Sequence, residues 1–198
     1  MKTAFYASFL WIFAFCLLLA DDGAKAALDI KRIKTILEHV RNGDAVAIKE
    51  ASGLDASVAV PALQVFALRD TSDPDRTEKA REALKKVKGG AQYLEKVIQA
   101  RVAVKGLDIE VIHAFKTMSV LGTKEAIAAT APLLFDKTLL RSGMEDVADG
   151  TVDWLAAHAL GMMALPDAPT STRPDFYQEE DIQKWREWWL KNKARYAN

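Results

Sequence analysis

The sequence predicts an all-α protein, folded as a short right-handed α-solenoid of about four antiparallel helix pairs. After residue 27, apolar residues recur mostly at the three- and four-residue spacing of one helix face, and no stretch shows the strict alternation of a strand. Glycines followed by short polar residues divide these stretches, and one helix-face motif occurs three times. An irregular helical bundle is the alternative arrangement of the same helices.

The N-terminal segment, residues 1–26, is predicted to be a signal peptide. Lys2 precedes an uncharged apolar run at 3–20, and the small-x-small sequence Ala24-Lys25-Ala26 follows, so we expect the mature chain to begin at Ala27. The run is 18 residues long, just enough to cross a bilayer, so a retained signal anchor is the alternative. The first interpretation predicts a secreted or periplasmic protein, and the second predicts a domain held at the membrane only through residues 3–20.

The composition predicts one globular domain, residues 27–198. Its balanced charge indicates that the partner is not strongly charged. Half of the residues are hydrophobic, and 27 Lys and Arg residues balance 27 Asp and Glu residues. A net charge of zero argues against a nucleic-acid partner, which requires a basic face. Cys16 is the only cysteine and lies in the apolar run, so a cleaved protein has neither a cysteine nucleophile nor a thiolate metal site.

Helix boundaries follow from glycine and capping residues. Glycine tolerates the left-handed conformation after a helix, while Asp and Thr satisfy the free amides at the next N-terminus. This junction occurs at Gly43-Asp44, near Gly106, at Gly122-Thr123 and at Gly150-Thr151. The helices are predicted at roughly 28–42, 56–69, 74–88, 90–105, 108–121, 123–136, 151–164 and 178–194.

The repeated motif places a small residue at the start of an apolar helix face. It begins at Ala80, Ala114 and Ala156, at offsets of 34 and 42 residues, and each copy is followed by a second predicted helix. A helix-pair period of this size is typical of α-solenoids. We therefore expect these three alanines to be buried, because a small side chain allows a neighbouring helix to approach closely.

Residues 56–164 resemble HEAT repeats. The similarity lies in Leu68-x-Asp70, Asp73-Pro74-Asp75, Ala80-x-x-Ala83-Leu84, and the stretch from Thr123 to Ile127 through Leu133-Leu134-Phe135-Asp136. The first pair fits poorly, and a 14-residue Pro-rich connection, 165–178, precedes the last helix. HEAT repeats are mostly binding scaffolds, so the resemblance implies a role in binding and no chemistry.

Candidate chemical residues are few, and the sequence predicts no catalytic, cofactor or metal site. No two of His39, His113 and His158 have metal-binding spacing. His158 follows Asp153 by five residues on one predicted helix, and this pair is the basis of an alternative function, an enzyme or enzyme subunit with a carboxylate/His158 site in the concave face. The acidic stretch 144–153 lacks the ligand spacing of a calcium loop and is interpreted as a solvated loop.

The C-terminal helix carries the most unusual side chains. Ile182, Trp185, Trp188 and Trp189 form one stripe, which we interpret as a cap over the last repeat, with an aromatic binding patch as the alternative. Trp188 lies at the edge of the stripe and is expected to be the most exposed of the three tryptophans. The sequence thus predicts an exported scaffold that binds a protein or other macromolecular partner on its inner helical face.

Overall fold

The computed structural model describes residues 23–68, 73–143, 148–169 and 178–196, with side chains from Asp29 onwards. The predicted signal run at 3–20 lies outside these ranges. Within them, no helix is long and apolar enough to cross a membrane.

The described chain is mostly helical, which confirms the all-α prediction. It forms α1 (Gly23–Arg41), α2 (Ala45–Ala51), α3 (Ala56–Ala67), α4 (Pro74–Lys85), α5 (Gly90–Ala103), α6 (Ile109–Leu121), α7 (Lys124–Thr130), a 3-10 helix (Ala131–Phe135), α8 (Val152–Gly161) and α9 (Glu179–Tyr196). Helix α1 runs across the predicted cleavage point before Ala27.

Most of the predicted junctions are confirmed as caps. Asp44, Asp73 and Asp108 each accept hydrogen bonds from backbone amides of the following first turn. Gly43 and Gly122 have φ values of 76° and 55°, a conformation that other residues rarely adopt. These local interactions fix where each helix begins and ends, so the boundaries could be read from the sequence.

Two helical segments differ from the prediction. Helix α2 was not predicted, because seven residues are too few to show periodicity; Ala47, Ile48 and Ala51 nevertheless bury one face. The helix predicted at 123–136 divides into α7 and the 3-10 helix. Pro132 stands at that division, where its missing N–H cannot continue the α-helical hydrogen bonds.

A small three-stranded sheet lies in a region where no strand was predicted. Strand β1 (Gly106–Leu107) pairs in parallel with β2 (Leu139–Ser142), which pairs antiparallel with β3 (Gly150–Thr151). Strands of two to four residues are too short for an alternating pattern. The sheet joins the end of α5 to the start of α8 and buries Leu107 and Leu140.

The helices pack in two rows. Each odd-numbered helix contacts the next odd-numbered one from α1 to α9, and the even-numbered helices do the same from α2 to α8. Between the rows, the most extensive sequential pairs are α1–α2, α3–α4 and α5–α6. The motif helices α4 and α6 were expected to be the first of their pairs, but α4 packs mainly against α3 and α6 against α5, so each is the second. Helix α3 is apolar on most sides and needs cover from several helices.

The three motif alanines lie in the even row. Ala80 on α4, Ala114 on α6 and Ala156 on α8 are 0%, 1% and 0% exposed, which confirms their predicted burial. Helix α6 contacts both α4 and α8, so all three alanines are on helices that pack side by side. Their small side chains suit close helix contacts.

Candidate functional site

Asp153 and His158 do not converge. Asp153 is 3% exposed, and its Oδ2 lies 2.7 Å from Nη2 of Arg186 on α9. Five residues separate Asp153 from His158, which places the two side chains about 140° apart around the helix. His158 instead stacks on Trp154, with 5.5 Å between ring centroids. The structure thus brings the carboxylate to a buried cation and leaves the imidazole half-buried beside Trp154.

Arg186 is the centre of a polar cluster that no sequence pattern predicted; Arg186 and Asp153 are buried in it, whereas Glu179 and Lys137 are exposed. Its Nε donates to the carbonyl oxygen of Leu134 at 2.6 Å, and its Nη1 donates to Oε1 of Glu179 at 2.8 Å. Lys137 Nζ lies 2.9 Å from the same Glu179 oxygen. The hydrogen bond from Arg186, and then the one from Lys137, lower the pKa of Glu179. This cluster joins α9 to α8 and the 3-10 helix.

The Arg186 cluster could have been suspected from its position. Arg186 follows Ile182 by four residues and stands beside Trp185 on the apolar stripe, and a charge at such a position needs a buried partner. Sequence alone could not identify that partner, because Asp153 is 33 residues away. The cluster is structural, since the guanidinium is bonded to the protein through all three of its nitrogens.

The tryptophan stripe covers the last helices, but the expectation for Trp188 is wrong. Trp185 and Trp188 are 1% and 5% exposed, whereas Trp189 is half-buried. Helix α9 extends to Tyr196, whose ring centroid lies 5.8 Å from that of Trp188 and closes the edge that was expected to be open. Little aromatic surface is left for a ligand on this stripe.

The remaining predicted candidates are dispersed. His39 lies 3.6 Å from Asp44 at the exposed end of α1, and His113 is half-buried on α6. Burial, and then the charge of Lys116, lower the pKa of His113. In the acidic stretch, residues 144–147 lie outside the described ranges, and Asp149 accepts a hydrogen bond from the Ser142 amide. Among the described residues, no group of three or more His, Cys, Asp or Glu could hold a metal ion.

Motif-equivalent positions on the even row differ in side-chain character from one helix to the next. The offsets of 34 and 42 residues relate Glu78, Glu82 and Lys86, in α4 and at its C-terminal end, to residues that we call the α6–α8 surface. These are Ile112, Lys116 and Val120 on α6, Trp154 and His158 on α8, and Met162 at the C-terminal end of α8. All three α4 residues are exposed and charged. On α8 the same positions are apolar, aromatic or imidazole, and Met162 is 56% exposed.

The α6–α8 surface combines apolar side chains with one cation. Lys116 is exposed and makes no ion pair within the described residues. Trp154, His158, Ile112 and Val120 are half-buried, so each presents part of its side chain to solvent. Partly exposed apolar side chains on two helices that contact each other are typical of protein interaction sites.

No family model matches the chain, and no curated protein or solved structure is similar enough to it to count as a match.

Proposed function

We propose that the protein is an exported HEAT-like helical-repeat scaffold that binds a protein partner on its α6–α8 surface. The observation that carries this proposal is the change along motif-equivalent positions, from charged residues on α4 to Trp154, His158 and Met162 on α8. Selection for solubility alone favours charged residues at all of these positions. The partly exposed Trp154 and the exposed Met162 therefore call for another explanation, and protein binding supplies one.

The partner is proposed to present an apolar segment with a carboxylate beside it. Trp154 and Met162 offer apolar contact area, and tryptophan and methionine are among the residues enriched at protein interfaces. Lys116 lies between Ile112 and Val120 and supplies the charge that a carboxylate would complement. The apolar side chains and the lysine together, rather than either one alone, define the expected partner.

Two features support the repeat architecture. The two rows have the next-but-one helix contacts of a solenoid, and Ala80, Ala114 and Ala156 have the same burial on successive helices of one row. The carboxylate/His158 enzyme has less support, because the Asp153 carboxylate is engaged by Arg186.

Site-specific photo-crosslinking of the full chain in cells tests the binding surface. A photoreactive phenylalanine analogue replaces Lys116 or Met162 in two variants, and it replaces Glu82 on α4 as the matched control. We expect a discrete crosslinked protein from the first two positions and none from Glu82. Crosslinks of equal yield from all three positions, or from Glu82 alone, would contradict the proposed surface.

Export is tested separately by N-terminal sequencing of the protein from fractionated cells. We expect a chain that begins at Ala27 in the secreted or periplasmic fraction. A chain that retains Met1 in the membrane fraction would support the signal anchor instead.

A further inference from the structure

A cleft lies at the opposite end of the helix array, between α1, α3 and the start of α4. Its volume is about 290 Å³, and its walls are formed by Leu37, Val40, Arg41, Ala62, Val65, Phe66 and Arg76. Five of these seven residues are apolar. The other two are arginines, so the cleft has an apolar interior and a cationic lining.

Arg76 retains hydrogen-bonding capacity in this cleft. Its Nε is buried and lies 3.4 Å from Asp73 Oδ2, without a hydrogen bond to any partner. Its terminal nitrogens also donate no hydrogen bond within the described residues. An arginine carries five N–H donors in a planar fork, so several donors remain for an acceptor in the cleft.

The position of Arg76 is fixed by its surroundings. Its guanidinium carbon lies 5.9 Å from the centroid of the Phe66 ring. Gly43 is also close, since a Cβ atom there would come within 2.2 Å of the same carbon. Gly43 also has a φ of 76°, so both its backbone conformation and the close approach of Arg76 require glycine. The guanidinium is thereby held beside the apolar walls of the cleft.

We propose that this cleft binds a carboxylate carried on a compact apolar group. The Arg76 fork matches a carboxylate geometrically, and Val40, Val65 and Phe66 provide the apolar contact. The volume is at the lower end of that of small-molecule sites, so the ligand is small. A medium-chain fatty acid and the C-terminal residue of a peptide share this chemistry. The cleft involves neither α6 nor α8, so its ligand is independent of the proposed partner.

Calorimetric titration of the full chain tests the proposal with defined probes. The probes are octanoate for the fatty acid, N-acetyl-phenylalanine for the peptide C-terminus, and N-acetyl-phenylalanine amide as the uncharged control. We expect at least one carboxylate to bind about tenfold more tightly than the amide, because charge-assisted hydrogen bonds are stronger than neutral ones. The tighter of the two carboxylates identifies the source. Equal binding of both carboxylates and the amide, or no binding of any probe, would overturn the proposal.

Variants assign the binding to the cleft. Arg76→Gln is expected to remove about the same tenfold preference for carboxylate, whereas Arg32→Gln, an exposed change earlier on α1, should preserve it. Val65→Trp fills the cleft and should abolish binding of every probe while Arg76 stays in place. Carboxylate binding that survives both Arg76→Gln and Val65→Trp would show that the site is elsewhere. Thermal melting of each variant shows whether a loss of binding reflects loss of fold.

Discussion

The two ends of the helix array each contain an arginine that faces a carboxylate, and the two arginines have opposite environments. The Arg186 side chain is 8% exposed and bonds Asp153, Glu179 and the Leu134 carbonyl. That of Arg76 is 37% exposed, and its nearest carboxylate oxygen, on Asp73, is 3.4 Å away. All three guanidinium nitrogens of Arg186 are bonded by the fold, whereas the buried Nε of Arg76 has no hydrogen-bond partner.

The difference follows from what covers each end. Helix α9 packs across α7, α8 and the 3-10 helix and brings two buried tryptophans with it, so Arg186 is enclosed. At the N-terminal end, α1 and α3 leave a cleft beside Arg76. An arginine–carboxylate pair can therefore be assigned a structural or a binding role only when two things are known: how buried the pair is, and how many N–H donors of the arginine have no partner.

The largest expected effect comes from removing the enclosed arginine. Arg186→Met leaves the Asp153 carboxylate buried without its cation, and we expect a loss of about 3–5 kcal/mol in the free energy of unfolding. Arg76→Met, at the other end, should cost only about 1 kcal/mol or less, because its partner is exposed. Urea denaturation of both variants measures the comparison. Losses of similar size would contradict the distinction between the two arginines.

A double variant sharpens the same comparison. Asp153→Leu combined with Arg186→Met removes both buried charges, so it should be less destabilised than Arg186→Met alone. A double variant that is less stable than Arg186→Met would mean that Asp153 contributes mainly through another contact. One such contact is the hydrogen bond that the Trp154 backbone amide donates to Asp153 Oδ1.

An intermediate loss of stability is expected from substitutions in the even row of helices, which runs between the two ends. Leucine in place of Ala80, Ala114 or Ala156 should overpack a helix contact and cost about 1–3 kcal/mol at each position. Lys79→Leu is the control, since Lys79 is exposed and its ion pair with Asp75 is worth only about 0.5 kcal/mol. Thermal or urea denaturation gives the values. If all three alanine variants melt like the parent, the repeat architecture loses its main support.

The smallest expected effect is a pH dependence at the C-terminal end. The pKa of Glu179 is lowered in the folded protein from its ordinary value of 4.5, first by the hydrogen bond from Arg186 and then by the one from Lys137. Its stabilising contribution is thus present above that value and is lost as the pH falls below it. We expect Glu179→Gln to reduce the decrease in melting temperature between about pH 5 and pH 3.

Glu180→Gln is the matched control for this titration, because the neighbouring Glu180 is exposed and makes no ion pair within the described residues. An equal change in the pH profile from both variants would mean that general charge, rather than the Glu179 contacts, causes the dependence.

Sequence patterns predicted the longer helices and failed for the shorter elements. Helices α4, α6 and α9 carry several turns of one apolar face, and Asp73 and Asp108 mark two of their starts through local hydrogen bonds. Helix α2 and the three strands are too short for a period, and they form where the surrounding packing provides a partner. Trp188 shows the same limit, since its burial depends on Tyr196, two residues beyond the predicted helix end.

The sequence by itself determined the helical class, the positions of the long helices and the burial of Ala80, Ala114 and Ala156, because these depend on capping and periodicity within a few residues. Tertiary structure alone decided which helices pack together, that Asp153 forms an ion pair with Arg186 and does not approach His158, and that Arg76 lines a cleft. Each of these depends on residues that are distant in the chain. Their contact is set by the packing of whole helices, which no local pattern encodes.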